Sequence, residues 1–464
     1  MSSPDSPIGQ GFSPEPEHDV ASGTRTLVLG PYLTRKRGGA SDRTAPDADN
    51  ARPFEARLDE ATGLAAAIEL NVVEAAIAPL ATPRPSTYLG KGKVEEIKGL
   101  IAAQEIGLVV MDCALSPVQQ RNLEKAWGAK VIDRTGLILE IFGRRARTRE
   151  GTLQVELAHL AYQKSRLVRS WTHLERQRGG YGFLGGPGET QIEADRRLIQ
   201  ERMTRIEKDL EGVTRTRGLH RASRRRVPYP IVAFVGYTNA GKSTLFNRMT
   251  RAEVMAEDML FATLDPTSRA ITLPHGEKAI LSDTVGFISD LPTMLVAAFR
   301  ATLEDVIEAD ILLHVRDVSH GETEAQAADV ESVLRALEID LSDTGRIIEV
   351  WNKADLLDEP ERTKLATKIA RMPPEQRPAL VSALTGEGVD ALLQAIEDRI
   401  ARGRPSYHVL LDPADGQSLN WLYENAEILG RDDRDEAVAV RVRVALEKEP
   451  RLLQRFPRAR RSKG

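Results

Sequence analysis

One cysteine, Cys113, stands in a chain of 464 residues. That excludes an internal disulfide framework and a cysteine-based zinc site. Cys113 follows the apolar run 106–111 and reads as a buried thiol. The eight histidines show no metal-ligand spacing. No uninterrupted apolar stretch is long enough to cross a bilayer, so no stable membrane insertion is expected. The first residues are rich in Ser, Pro, Asp and Glu without an apolar core, so no secretory signal is expected either. A hydrophobic content of 41% and a charged content of 28% suit a soluble globular protein of two to four domains, and together these features point to the cytoplasm.

Net charge is small in total but uneven in place. The net charge is −4, yet residues 143–226 hold 20 Lys and Arg against 10 Asp and Glu, a net of +10 that leaves −14 for the remainder. The stretch 451–463 is basic as well. A patch of one sign attracts polyphosphate backbones, so charge alone favours a nucleic acid or ribonucleoprotein partner over a merely solvated helix surface.

The densest chemical signal is GYTNAGKS, residues 236–243, directly after the apolar run 231–235. It matches the phosphate-binding loop, G-x-x-x-x-G-K-[ST]. Gly236 and Gly241 let the backbone of Asn239 and Ala240 curl so that N–H groups face phosphate oxygens. Lys242 reaches the β- and γ-phosphates, the Ser243 hydroxyl ligates Mg²⁺, and the helix that carries Ser243 and Thr244 adds its positive dipole end.

Three later segments, each at a strand end and in the expected order, choose the base. Asp283-Thr284-Val285-Gly286 ends a strand-like run: Asp283 holds Mg²⁺, usually through water, and the Gly286 N–H meets the γ-phosphate. Asn352-Lys353-Ala354-Asp355 follows residues 347–351. The Asp355 carboxylate can accept from both N1–H and the exocyclic amine of guanine, a donor pair that adenine lacks. Ser382-Ala383-Leu384 supplies a backbone N–H, near Ala383, for guanine O6. These segments make residues 228–402 similar to a Ras-like translation-factor-type GTPase domain.

Two positions bear on mechanism. Ras-type enzymes carry Gln after the glycine of Asp-x-x-Gly, to orient the attacking water. Here that position is Phe287, which cannot hydrogen-bond water and equally suits packing under a mobile loop. Intrinsic hydrolysis should therefore be slow unless a partner supplies the missing contact. Asn239 matches the position that binds K⁺ in several cation-dependent GTPases, and it equally suits an ordinary loop residue tolerant of left-handed backbone. Switch I belongs in MLFATLDPTSR, residues 259–269. Thr263 is the first candidate to close over Mg²⁺ and the γ-phosphate, and Thr267 the second, since spacing alone does not separate them.

Ahead of this domain, residues 1–24 read as a disordered tail. Residues 25–150 alternate strands (26–30, 72–76, 108–112, 130–133) with helices (57–69, 94–104, 117–127), and 135–142 continues the alternation. This is a small α/β domain with a mainly parallel sheet. In residues 151–227 the period changes. Leu153, Leu157, Leu160, Leu167, Trp171 and Leu174 form one seam, and Ile192, Ile199, Met203, Ile206, Leu210 and Val213 form another. Together they predict a helical hairpin. Its connecting loop, GGYGFLGGPGE, contains a formal G-x-G-x-x-G, but no strand precedes it, which excludes dinucleotide binding. Tyr181, Phe183 and Leu184 beside Arg176 and Arg178 suit stacking on unpaired RNA bases. Residues 403–464 read as a small α/β domain with a basic tail: strand 408–411, helix 417–425, strand 437–446.

TYLGKGKVEEI (87–97), VIDRTGLILEIFGRRARTREGTLQVELAHLAY (131–162), GGYGFLGGPGETQIE (179–193) and the GTPase signatures together resemble the HflX family. The likeness covers most of the chain after about Arg57. The stretch between Thr26 and Arg57 matches poorly, and the C-terminal piece is compatible but not diagnostic. HflX proteins are ribosome-associated GTPases. The resemblance implies binding of GTP and GDP with Mg²⁺, and association with the large ribosomal subunit; a monomer is expected. It further implies a hairpin loop directed at the peptidyl transferase centre, and GTP-dependent splitting or rescue of stalled ribosomes under stress. The competing reading is a nucleotide-gated RNA-binding or remodelling protein with a second, ATP, site in the N-terminal domain near 90–93. The sequence contains no second phosphate loop to support it.

Overall fold

A computed structural model describes residues 21–34, 52–175, 187–224, 229–251, 259–292, 295, 303–343, 345–401, 405–434, 437–444 and 448–462. Arg176, Arg178, Tyr181, Phe183 and Leu184, and most of the tail 1–24, lie outside these.

The chain is a multidomain α/β protein. Its first layer comprises β1 (Arg25–Gly30), α1 (Phe54–Ala66), β2 (Asn71–Ile77), α2 (Lys91–Ala103), β3 (Leu108–Met111), α3 (Pro117–Trp127), β4 (Lys130–Asp133) and α4 (Arg134–Arg145). The four strands are parallel in the order β2-β1-β3-β4. Crossover helices cover the sheet faces, so the central strands are apolar over most of their length, with Leu27–Leu29 and Val109–Met111 buried. Local chemistry sets the helix starts. Ser116 and Gln119 form a reciprocal capping box with Pro117 in the first turn, and the Asp133 side chain accepts from the Gly136 amide at 2.9 Å to start α4.

Two long helices follow, α5 (Arg149–Glu175) and α6 (Pro187–Arg224), and pack against each other. Arg202 Nε donates to Glu156 Oε1 at 2.6 Å, and Lys164 meets Gln200, so the pair runs antiparallel. In α6, Ile206 is buried while Ile199, Met203 and Leu210 are half-buried. Leu160 of α5 is buried, but so are Val155 and Ala158, off the expected seam. The base of α5 packs on two sides, and Val155 and Ala158 join the apolar cluster of the first layer. Asp133 anchors this base by accepting from the Tyr162 hydroxyl and from Arg166 Nη2, each at 2.6 Å.

The third layer holds β5 (Ile231–Gly236), α7 (Lys242–Thr250), β6 (Thr267–Thr272), β7 (Lys278–Asp283), β8 (Ile311–Asp317), β9 (Ile347–Asn352) and β10 (Ala379–Leu380). Helices Thr323–Ala336, Glu359–Ala370 and Val389–Ile400 flank it. The strand order is β10-β9-β8-β5-β7-β6, parallel except for β6 against β7. One apolar cluster runs unbroken from Val28, Leu64 and Phe142 of the first layer to Val235, Phe261 and Phe287 of the third.

At the C-terminal end, β11 (Ser406–Leu411), β12 (Glu427–Arg434), β13 (Ala437–Arg443) and β14 (Arg460–Arg461) make an antiparallel sheet in the order β12-β13-β11-β14. Strand β12 was not expected. Its charged sequence, EILGRDDR, carries no apolar alternation, and its register shifts between Ile428 and Gly430 where it pairs with β13.

Candidate functional site

The candidate site lies at the carboxyl ends of the parallel strands β5, β7 and β9, where open α/β sheets gather their ligands. Gly236 ends β5, and a Cβ there would stand 2.2 Å from the Val315 carbonyl oxygen, so no side chain fits. Gly241 begins α7 with φ of 88°, and a Cβ would meet the Asn352 amide at 2.2 Å. Both glycines are therefore required by geometry as well as by backbone freedom.

Lys242 is buried, and its Nζ donates to the carbonyls of Tyr237 (2.7 Å) and Gly236 (3.2 Å). Burial lowers its ammonium to about 8, a fall that the Asp283 carboxylate partly offsets. Gly286 lies close, since a Cβ there would approach Lys242 Nζ to 3.1 Å and Thr238 Cα to 2.9 Å. Asn239 adopts φ of 58° and, with Gly241, Ser243 and Thr244, lines the cleft.

Three oxygens converge beside the loop. Ser243 Oγ lies 2.6 Å from Asp283 Oδ2 and 2.8 Å from Thr263 Oγ1, and Thr263 Oγ1 donates to Asp283 Oδ2 at 3.1 Å. Thr267, the second switch I candidate, is instead the first residue of β6 and pairs with Asp283 along the backbone. Burial raises the Asp283 carboxyl, against the pull of Ser243 and Lys242. Asp283 Oδ1 is buried with no protein partner among the described residues. One carboxylate and two hydroxyls, with an orphaned carboxylate oxygen, suit a hard cation such as Mg²⁺.

Asn352, at the end of β9, is a brace between loops. Its Nδ2 donates to the Ala240 carbonyl at 2.8 Å, and its Oδ1 accepts from the Ala383 amide at 3.0 Å. Lys353, with φ of 65°, pairs with Asp317 at 2.8 Å. Ser382 Oγ donates to Asp355 Oδ1 at 2.5 Å and accepts from the Thr385 amide at 3.0 Å, which fixes the carboxylate. Arg248 of α7 holds the carbonyls of Ala383 (3.1 Å) and Leu384, although the Leu384 side chain is exposed. The phosphate loop, Thr263, Thr284 and Gly286 thus line one cleft, and Asn352 ties the segments 352–355 and 382–384 to that loop.

Phe287 is buried, and its backbone is tied to the phosphate loop: its N–H donates to the Gly236 carbonyl at 3.1 Å and its carbonyl accepts from Thr238 N–H at 2.8 Å. It packs in the shared apolar cluster and presents no polar atom to a water.

Several residues around the site escape sequence reasoning. Tyr237, inside the phosphate loop, meets Glu60 of α1 through its hydroxyl, which also accepts from the Ser289 amide at 2.9 Å and from Arg52 at 3.1 Å. Glu60 Oε1 accepts from Ser289 Oγ at 2.7 Å, and Glu60 pairs with Arg52 and Arg134. Arg134 in turn pairs with Asp112 at 2.5 Å. Burial pushes the Glu60 carboxyl up, but the Arg134 and Arg52 guanidiniums outweigh it and hold it below the usual carboxylate range. Two arginines and a carboxylate buried together were the only available signal, and their distance in sequence hides it.

Four family models match the chain in order: GTP-binding GTPase N-terminal (residues 55–143), GTP-binding GTPase Middle Region (145–224), 50S ribosome-binding GTPase (231–353) and HflX C-terminal domain (369–462). The chain is 53% identical over 372 residues to GTPase HflX of Magnetococcus marinus, covering 80% of this chain and 84% of that one. It is 43% identical over 405 residues to GTPase HflX of Escherichia coli, covering 86% and 92%. Among solved structures, a GTP-binding protein from Sulfolobus solfataricus in complex with GDP aligns at 23% identity with a TM-score of 0.42, over 81% of this chain and 98% of that one.

Proposed function

The chain belongs to the HflX family of GTPases, and on that premise we propose that its GTP cycle acts on the large ribosomal subunit in the cytoplasm, splitting or rescuing stalled ribosomes under stress. The observation that carries the reading is the site itself: a phosphate loop, a Ser243–Thr263–Asp283 oxygen cluster and the Asp355 carboxylate stand at the carboxyl ends of one sheet, in a chain whose residues 143–226 carry a net charge of +10.

In this reading Lys242 and the amides of 239–243 take the β- and γ-phosphates. Phosphate charge replaces the carbonyls of Gly236 and Tyr237 as the partner of the Lys242 ammonium. Ser243 and Thr263 would hold Mg²⁺ directly, and Asp283 would hold it through water; when bound, the ion neutralises the charge that develops on the transferred phosphoryl group. The Gly286 amide faces the γ-phosphate. Asp355, fixed by Ser382, accepts from guanine N1–H and the exocyclic amine, and the Ala383 segment donates to O6. Asn239 is the residue that would hold K⁺ beside the phosphates, and exchange of potassium for sodium tests this.

Phe287 leaves the attacking water without an orienting side chain from that position, so the protein waits for a partner. The hairpin and its loop, with Arg176, Arg178, Tyr181, Phe183 and Leu184, reach that partner as a monomer would, by cation and stacking contacts to ribosomal RNA. Light scattering of intact ribosomes mixed with the protein tests the reading. A fall in scattering with GTP, absent with GDP, is expected; no fall with either nucleotide contradicts it.

A further inference from the structure

Helix α5, the first arm of the hairpin, starts with an incomplete cap. Thr148 is its N-cap: Thr148 Oγ1 accepts from the Gly151 amide at 3.0 Å, and its carbonyl accepts from Thr152 N–H at 2.9 Å. Such starts are commonly completed by Glu or Gln at the third helical position, reaching back to the amide of the cap residue. Here the third position is Gly151, which has no side chain. The acceptor comes instead from Asp265, 117 residues away in sequence. Asp265 Oδ2 accepts from the amides of Arg147 (2.8 Å) and Thr148 (2.9 Å), and Thr148 Oγ1 donates to Asp265 Oδ1 at 2.5 Å. The absent side chain at Gly151 makes this possible, because a Cβ there would stand 2.4 Å from Asp265 Oδ1.

In the function proposed above, Asp265 belongs to the segment that senses the nucleotide. Two residues earlier, Thr263 reaches Ser243 and Asp283. Two residues before that, Phe261 is buried with φ of 56° and packs edge-on against Phe142 of α4, with ring centroids 4.8 Å apart. A bulky residue in left-handed backbone is held only by its surroundings. The segment is therefore pinned on the phosphate side through Thr263, on the first layer through Phe261 and on the arm through Asp265.

We propose that Asp265 couples the nucleotide to the arm. When Thr263 is drawn to the triphosphate site, Asp265 completes the cap of α5 and the arm's first turn is fixed. When Thr263 withdraws after hydrolysis, the cap opens and the base of the arm is released. The coupling is reciprocal, so a partner that sets the arm also changes GTP affinity. This rests on the function proposed above and adds the residue that links its two halves.

The test measures fluorescent GTP-analogue and GDP affinities, and hydrogen exchange at amides 147–152, in the full chain. Asp265→Ala is expected to lower the ratio of GTP to GDP affinity by about tenfold, within the usual range of coupling between sites. Asp265→Asn, still an acceptor, should keep most of the ratio. Gly151→Ala should lose it as Asp265→Ala does, although alanine favours the helix over glycine. Exchange at 147–152 should be slower with the GTP analogue than with GDP in the parent and equal in the two alanine variants. An unchanged ratio in both, or an equal loss of GTP and GDP affinity, overturns the coupling. Hydrolysis with large subunits, measured on the same parent protein, reports separately on the function.

Discussion

Arg134 donates from Nη2 to the Ser289 carbonyl oxygen, 3.0 Å away. The first residue of α4 thereby holds the segment that follows Gly286, in a different layer of the protein. Glu60 stands between them, since it pairs with Arg134 and also meets Ser289 and the Tyr237 hydroxyl. One buried carboxylate is thus shared by the first layer, the phosphate loop and the segment past Asp283.

Glu60→Gln should destabilise the protein by about 2 kcal/mol, because Arg134 and Arg52 lose the buried carboxylate they share and keep only Asp112 and Glu322 as separate charge partners. The difference should depend on pH. The Glu60 carboxyl lies below its ordinary range in the folded chain, so its contribution is complete above the unfolded value of about 4.3 and is lost as pH falls through the folded value. Unfolding midpoints of parent and variant should differ most near neutrality and converge below pH 4. A gap that persists in acid would mean that packing, not charge, holds this junction.

Asp355→Asn should lower GTP affinity by about a hundredfold, by loss of two charge-assisted hydrogen bonds to guanine. It should also move preference toward xanthosine triphosphate, because the amide can donate where the carboxylate only accepts. Competition binding with the two nucleotides measures this, and unchanged preference for GTP would remove Asp355 from the base site.

Lys242→Ala should abolish hydrolysis of every nucleotide triphosphate, since the only phosphate loop in the sequence carries that lysine. Phosphate release assays with GTP and with ATP decide it. ATP hydrolysis that survives the substitution would place a second site in the first layer and revive the RNA-remodelling reading.

Thr263→Ala and chelation of divalent ions test the oxygen cluster. EDTA should abolish hydrolysis. Thr263→Ala should lower GTP affinity about tenfold while leaving GDP affinity near the parent value, because switch I closes only on the triphosphate. Equal loss for both nucleotides would make Thr263 a structural residue.

Tyr181→Ala with Phe183→Ala should weaken ribosome-stimulated turnover about tenfold or more, given stacking worth about 1–3 kcal/mol per base, and leave intrinsic turnover intact. Equal loss of both activities would mean that the loop supports the fold.

The phosphate loop, Asp283-Thr284-Val285-Gly286, Asn352–Asp355 and Ser382–Leu384 are legible in sequence because each is a short backbone device at a strand end, where glycines and carboxylates have few other uses. The parallel first layer is legible too, since buried runs such as Leu108–Met111 alternate with capped helices such as Pro117–Trp127. Strand β12 was hidden because its pairing with β13, not its composition, makes it a strand. The second packing side of α5 was hidden because Val155 and Ala158 face the first layer, which a two-helix seam does not foresee. The Glu60 junction joins residues 74 and 177 positions apart, and nothing local marks them. The side chain of Asn352 braces Ala240 and Ala383, a role that its place in the segment 352–355 does not reveal.

The steady-state rate of GTP hydrolysis in a potassium buffer, alone and with purified large ribosomal subunits, tests the central claim most directly. With Phe287 buried and no water-orienting group at that position, the account predicts a slow rate alone and strong stimulation by the subunits. A rate that large subunits leave unchanged would contradict it.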